Sequence, residues 1–141
     1  MKVIVVEDSD ALRTFFCSIV DEIEGLSLAG EFVGSTNAIA AIRHDPPDIV
    51  LLDIQLSEGS GIEVMRTVNA EYPDIKVIVA SNFADPIYQR YFANAGAHAF
   101  FDKSLELRKV RSALEYLASD EIEGRHRDSQ SDDAVMLATR V

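Results

Sequence analysis

Short apolar runs and longer stretches of helical period alternate along this chain, five times over. Residues 2–6, Lys-Val-Ile-Val-Val, read as a first strand. Ser9 or Asp10 then caps a helix, and its apolar residues Leu12, Phe15, Phe16, Ile19, Val20 and Ile23 recur at spacings of three and four. Gly25 closes that helix, and a weaker strand spans 26–32. Ser35 caps a short helix carrying Ala38, Ile39, Ala41 and Ile42, which Pro46 stops. The run Ile-Val-Leu-Leu-Asp at 49–53 is the most apolar of the chain and reads as a strand buried on both faces. A loop with two glycines, 56–61, is expected to be flexible. A helix over 62–72 follows, with Ile62, Met65 and Val68 on one face. Residues 76–80 form another buried strand closing at Ser81. Pro86 suits the first turn of a helix that runs to Ala95. A fifth strand covers 97–101. Ser104 caps a last helix to about Ser119, with Leu107, Val110, Leu114 and Leu117 facing inward.

Strands that alternate with helices imply parallel pairing through right-handed crossovers, with helices on both faces. Five such units fit an α/β fold of the flavodoxin-like, doubly wound kind: a five-stranded parallel sheet in the order 2-1-3-4-5 with five helices. Residues 1–120 make this domain, and 121–141 are expected to form a flexible polar tail. Within that tail, 134–138 is apolar enough for a turn of helix against some other surface.

An ionised carboxylate is too costly to bury alone inside an apolar strand, so Asp53 belongs at the strand's carboxyl end. That is the end where open parallel sheets bind ligands. Strand one ends at Glu7-Asp8, strand four at Ser81 and strand five at Asp102-Lys103. With strand one flanked by strands two and three, these ends share one rim. Three carboxylates, a hydroxyl and an ammonium would meet there. Such carboxylates repel one another and need a counter-charge, and Mg²⁺, a hard cation bound through oxygens, is the natural one. Lys103 neutralises part of the remainder. Beside Mg²⁺, Asp53 is a plausible nucleophile toward a phosphoryl group, with Ser81 and Lys103 in reach of its oxygens. The same residues equally describe a structural cation site with no transfer. The first strand–helix loop, Glu7-Asp8-Ser9-Asp10, lacks the glycines of a flavin or dinucleotide site and would repel phosphate, so no organic cofactor is expected.

Composition adds bounds rather than chemistry. The chain's 141 residues suit one domain, and 48% hydrophobic with 26% charged residues is a globular balance. A net charge of −11 argues against non-specific nucleic-acid binding and against anionic membranes, and suits cations or a basic partner. The N-terminus has no signal-peptide pattern and no apolar run reaches membrane length, so a cytoplasmic location is expected. The single cysteine, Cys17, lies among apolar residues and reads as a buried, inert thiol. His44, His98 and His126 show no metal-ligand spacing.

Five segments together carry a family resemblance: V-V-E-D-S at 5–9, D-I-V-L-L-D at 48–53, S-G-I-E at 60–63, V-I-V-A-S at 77–81 and F-F-D-K at 100–103. In this order, at these strand ends, the sequence resembles the receiver domain of two-component response regulators from about Lys2 to Ser119. The resemblance implies that Asp53 is the phospho-acceptor, served by a histidine kinase or a histidine phosphotransfer protein. It implies that Glu7 and Asp8 hold Mg²⁺ with Asp53 and the backbone carbonyl of Gln55. Ser81 matches the family's switch hydroxyl, Phe100 its switch aromatic and Lys103 its phosphate-pairing lysine. An output protein would bind the face of the fourth helix, fifth strand and fifth helix. Direct DNA binding is not expected, and homodimerisation is left open. The chain would be no enzyme beyond its own phosphorylation and dephosphorylation.

The sequence departs from the family at Ser104, where members usually have a cis proline. A non-proline cis bond costs about 2.5–4 kcal/mol, so a trans Lys103–Ser104 peptide is expected. Ser57 stands where proline is frequent, and Gln55 and Phe83 occupy positions that modulate dephosphorylation in the family. Two other readings compete. One is a pseudo-receiver, an interaction module that is not phosphorylated. The other is a phosphatase of the haloacid-dehalogenase type, whose D-x-D motif should follow the first strand but does not. Taken singly, Ser81 reads as a turn former, Phe100 as a core aromatic and Lys103 as a solvated cation.

Overall fold

The computed structural model describes residues 1–128 of the chain. Five strands and five helices alternate: β1 (Lys2–Val6), α1 (Asp10–Glu22), β2 (Ser27–Phe32), α2 (Ser35–His44), β3 (Ile49–Leu52), α3 (Gly61–Glu71), β4 (Lys76–Ser81), α4 (Pro86–Asn94), β5 (Ala99–Asp102) and α5 (Leu107–Asp128). All neighbouring strands are parallel, in the order β2-β1-β3-β4-β5. This is the doubly wound, flavodoxin-like arrangement that the alternation implies.

The central strands are buried on both faces because their side chains feed two separate cores. Val3, Val5, Ile49 and Leu51 pack beneath α1 and α5 with Phe16, Val20, Val110 and Leu114. Their neighbours in sequence, Ile4, Val6, Val50 and Leu52, point the other way, toward α2, α3 and α4, with Ile42, Met65, Val68 and Phe92. Alternation of side chains along a strand makes this division unavoidable, and it explains why these runs are continuously apolar.

Several boundaries differ from the sequence expectation. Phe15, assigned to the inward stripe of α1, is 44% exposed, whereas Phe16 is buried. Adjacent helical residues diverge by about 100° around the axis, and Phe15 falls at the solvent side of the stripe that Phe16, Ile19 and Val20 bury. Ser104 does not cap α5. Its N–H donates to Asp102 Oδ1 at 2.7 Å, and Asp102 O accepts from the Glu106 N–H at 2.7 Å, so a tight turn fills 102–106 and α5 begins at Leu107. At its other end α5 continues to Asp128, past the boundary expected near Ser119. Ile122 follows Ala118 by one turn and, though 43% exposed, lies beside Gly25, where a β-carbon would be 3.2 Å from Ile122 Cδ1. The rest of the expected tail, 129–141 with its apolar 134–138 segment, lies outside the described residues. No helix among those described is long and apolar enough to cross a membrane.

Candidate metal centre

Two backbone hydrogen bonds just past the ends of the strands set the site. Glu7 N–H donates to Phe32 O and Asp53 N–H donates to Val6 O, both at 2.9 Å. The sheet ladder thus persists one residue beyond β1 and β3 and brings Glu7 and Asp53 to one rim. Oxygens of Glu7, Asp8 and Asp53 lie within 4.8 Å of one another. Lys103 enters from the end of β5, its N–H bonded to Ser81 O at 3.0 Å. Its Nζ reaches Glu7 Oε1 at 2.8 Å and Asp53 Oδ2 at 3.0 Å. Glu7 is 1%, Asp53 4% and Lys103 8% exposed, while Asp8 faces solvent.

Burial dominates the electrostatics. Desolvation pushes the Glu7 carboxyl up to about 7, against the lowering effect of its hydrogen bonds to Lys103 and Ser9. Burial also works against the Lys103 ammonium, but the two carboxylates outweigh it and its pKa is raised. Ionised, the cluster holds three carboxylates against one ammonium. The excess of two negative charges, presented by oxygen atoms only, fits a hard divalent cation such as Mg²⁺.

Beside the acids lies a cleft of about 200 Å³ lined by Asp8, Asp53, Gln55, Ser81, Phe83 and Lys103 among others. Ser81 is fully buried, and its Oγ accepts from the Phe83 N–H at 3.1 Å. It is therefore a turn former and a cleft residue at once. Phe100 is half-buried on the α4 side of the sheet, its ring centroid 5.9 Å from that of Phe92, while Phe101 packs toward α1 and α5. Phe100 stands beside the cleft's elements rather than in its lining. The Lys103–Ser104 peptide is trans, as expected.

The loop after Asp53 differs most from its reading as a flexible connection. Ser57 donates to Val33 O through both its N–H, at 3.1 Å, and its Oγ, at 2.9 Å. Glu58 accepts from the Thr36 N–H at 3.0 Å and from Thr36 Oγ1 at 2.9 Å, satisfying a donor at the N-terminus of α2. These bonds, the Thr36 N–H foremost, hold the Glu58 carboxyl below its usual range. Gly59, at φ +70°, and Gly61, pressed on Asp53, are required by geometry rather than by mobility. Arg13, which the sequence pattern did not single out, donates through Nη1 to the Glu7 main-chain carbonyl at 3.0 Å, and its only signal in the sequence is a cation one turn into a helix preceded by Glu7, Asp8 and Ser9.

Residues 3–115 match the family model of the response regulator receiver domain. The chain belongs to this receiver family. A relative is the response regulator GacA of Pseudomonas aeruginosa, 30% identical over 114 residues, which are 81% of this chain and 53% of GacA. Another is the transcriptional regulatory protein DegU of Brevibacillus brevis, 23% identical over 84% of this receiver and 50% of DegU. The chain thus spans about half the length of these curated relatives. Among solved structures, the response regulator domain of Thermotoga maritima CheB superposes with a TM-score of 0.73 at 23% identity, covering 85% of this chain and 94% of that one. The signal receiver domain of a putative Luxo repressor protein from Vibrio parahaemolyticus gives 0.76 at 21% identity, covering 89% and 96%. Both show that the receiver fold is shared.

Proposed function

We propose that this receiver accepts a phosphoryl group on Asp53 from a histidine kinase or a histidine phosphotransfer protein, and that Glu7, Asp8, Asp53 and the Gln55 carbonyl hold the Mg²⁺ the transfer needs. The observation that carries the reading is the buried Lys103 ammonium bridging Glu7 and Asp53 beside an open cleft. A merely structural acid cluster has no need of a cleft. When bound, Mg²⁺ offsets charge on the transferring phosphoryl oxygens.

The chain's own residues do the rest. Lys103 holds Asp53 Oδ2, which leaves Oδ1 to attack phosphorus in line with the departing imidazole nitrogen. The O–P bond forms as the P–N bond breaks, and the imidazole leaves with the electron pair and takes up a proton. Lys103 then pairs with a phosphoryl oxygen, and the Ser81 hydroxyl turns from the Phe83 N–H to donate to another. Phe100, packed on Phe92, follows Ser81 because both occupy the β4–β5 end of the sheet. The change reaches a partner protein through α4, β5 and α5. With a net charge of −11, these 141 residues are a poor match for a phosphate backbone, and no DNA contact is assigned to them.

The test is incubation with acetyl phosphate and Mg²⁺, followed by intact-mass measurement. The expected result is one added phosphoryl group, absent when the metal is chelated beforehand and in Asp53→Asn. An unmodified wild-type chain that also ignores beryllofluoride would favour the pseudo-receiver. Catalytic turnover of phosphomonoesters would favour a hydrolase.

A further inference from the structure

Glu7 and Asp8 sit on a loop, and a loop is a poor platform for metal ligands unless something fixes its backbone. Part of that fixing is internal: the Ser9 N–H donates to Glu7 Oε2 at 3.1 Å, and Ser9 Oγ accepts from the Leu12 N–H at 3.3 Å. The Glu7 N–H also donates to Phe32 O, and one further side chain grips the loop's carbonyls. Arg13 Nη1 donates to the main-chain carbonyl of Glu7 at 3.0 Å and reaches that of Asp8 at 3.5 Å. Its Nε donates to Glu31 Oε1 on β2 at 3.3 Å, and its Nη2 to Asp10 Oδ1. The side chain is only 15% exposed. A single guanidinium therefore ties the backbone of two carboxylate residues to a neighbouring strand and to the first turn of α1.

We propose that Arg13 is a positioning residue for the metal centre: its grip on the Glu7 and Asp8 carbonyls presets their carboxylates for a divalent cation. The inference rests on the reading of the acid cluster as a metal centre. Arg13 does not touch the metal ligands' side-chain oxygens in any of these bonds. It acts on the main chain behind them.

Charge is the competing consideration, and it has the opposite sign. A guanidinium near a cation site repels the cation. Here that repulsion is offset, because the guanidinium faces the carboxylates of both Asp10 and Glu31. Removing Arg13 would leave those two anions uncompensated near the site, and on charge alone Mg²⁺ would bind more tightly. Removing it would also free the loop, and on positioning Mg²⁺ would bind more weakly. The planar fork of arginine is what spans a loop carbonyl and a β2 carboxylate together. Lysine keeps the charge but brings one nitrogen, which cannot occupy both places.

The experiment is calorimetric titration of Mg²⁺ into the full 141-residue chain as wild type, Arg13→Gln and Arg13→Lys. Both variants are expected to bind Mg²⁺ about tenfold more weakly, the lower end of what outer-shell partners contribute to metal sites. Their circular dichroism and urea midpoints should stay near wild type. Affinity that is unchanged or tighter in Arg13→Gln overturns the proposal, as does wild-type affinity in Arg13→Lys. If Arg13→Gln does not fold, Arg13→Lys alone decides. A wild-type chain that takes up no Mg²⁺ removes the metal centre itself and the proposal with it, a result distinct from variants that match a Mg²⁺-binding wild type.

Discussion

A β-carbon on Gly61 would lie 2.2 Å from the main-chain carbonyl oxygen of Asp53. The first residue of α3 is thus pressed onto the backbone of Asp53. The contact is drawn tight by the Gly61 N–H, which donates to Ile54 O at 2.7 Å. The nearest atoms are backbone and cannot swing aside as a flexible side chain would.

Gly61→Ala should therefore destabilise the fold by about 1–3 kcal/mol or more, the range for overpacking a filled site. It should also displace Asp53. Urea unfolding gives the first quantity, and the yield of Mg²⁺-dependent acetyl phosphate labelling gives the second. A midpoint and a yield equal to wild type would show that the loop can shift freely.

Lys103→Met removes the cation between Glu7 and Asp53 and leaves both carboxylates buried. Breaking a buried ion pair costs about 3–5 kcal/mol. The loss here should be smaller, because Glu7 is already held near 7 and can take a proton at neutral pH. Added Mg²⁺ should recover part of the lost stability by restoring positive charge. Urea midpoints with and without Mg²⁺ measure both effects. Equal stability of variant and wild type without metal would contradict this account.

Cys17 gives a pH prediction. Burial, then the neighbouring Glu31 carboxylate, push its thiol from 9.0 up to about 11. The folded state therefore holds the proton more tightly than the unfolded state. Its contribution to stability is complete below pH 9 and is lost as pH rises toward 11. Native protein at pH 7.5 should also react with iodoacetamide far more slowly than urea-unfolded protein, since only 8% of Cys17 is exposed. Similar rates in the two states would place the thiol at the surface.

Ser104→Pro tests the turn that follows Lys103. Proline has no N–H and cannot bond Asp102 Oδ1, which now accepts at 2.7 Å. Ser104 Oγ also gives up its 3.3 Å bond to Asn82 Oδ1. Loss of the charge-assisted bond should cost about 1.5 kcal/mol, read from the urea midpoint. A more stable Ser104→Pro variant would show that the turn is not organised by Asp102.

Some of this protein was decided locally, and those parts were legible in the sequence. Continuous apolar runs at 3–6, 49–52 and 77–80 could only be strands buried on both faces, because alternate side chains feed opposite cores. Five strand–helix units then left one economical topology, and that topology puts Glu7, Asp8, Asp53, Ser81 and Lys103 at one rim. Cys17 was legible as buried because it lies among Phe15, Phe16, Ile19 and Val20.

What tertiary structure alone decided were the contacts between segments distant in sequence. Glu58 closes the start of α2, 22 residues before it in the chain, so a loop that reads as free is pinned. Arg13 reaches Glu31, 18 residues away, and by doing so holds the acid loop. Gly61 meets the Asp53 carbonyl only because α3 turns back across the end of β3. Residue type and period fix which face of an element is buried, whereas a polar side chain's partner depends on what the fold carries past it. The sequence alone determined which acidic groups, hydroxyl and ammonium gather at one rim of the sheet, and only the folded chain decided what holds them in place.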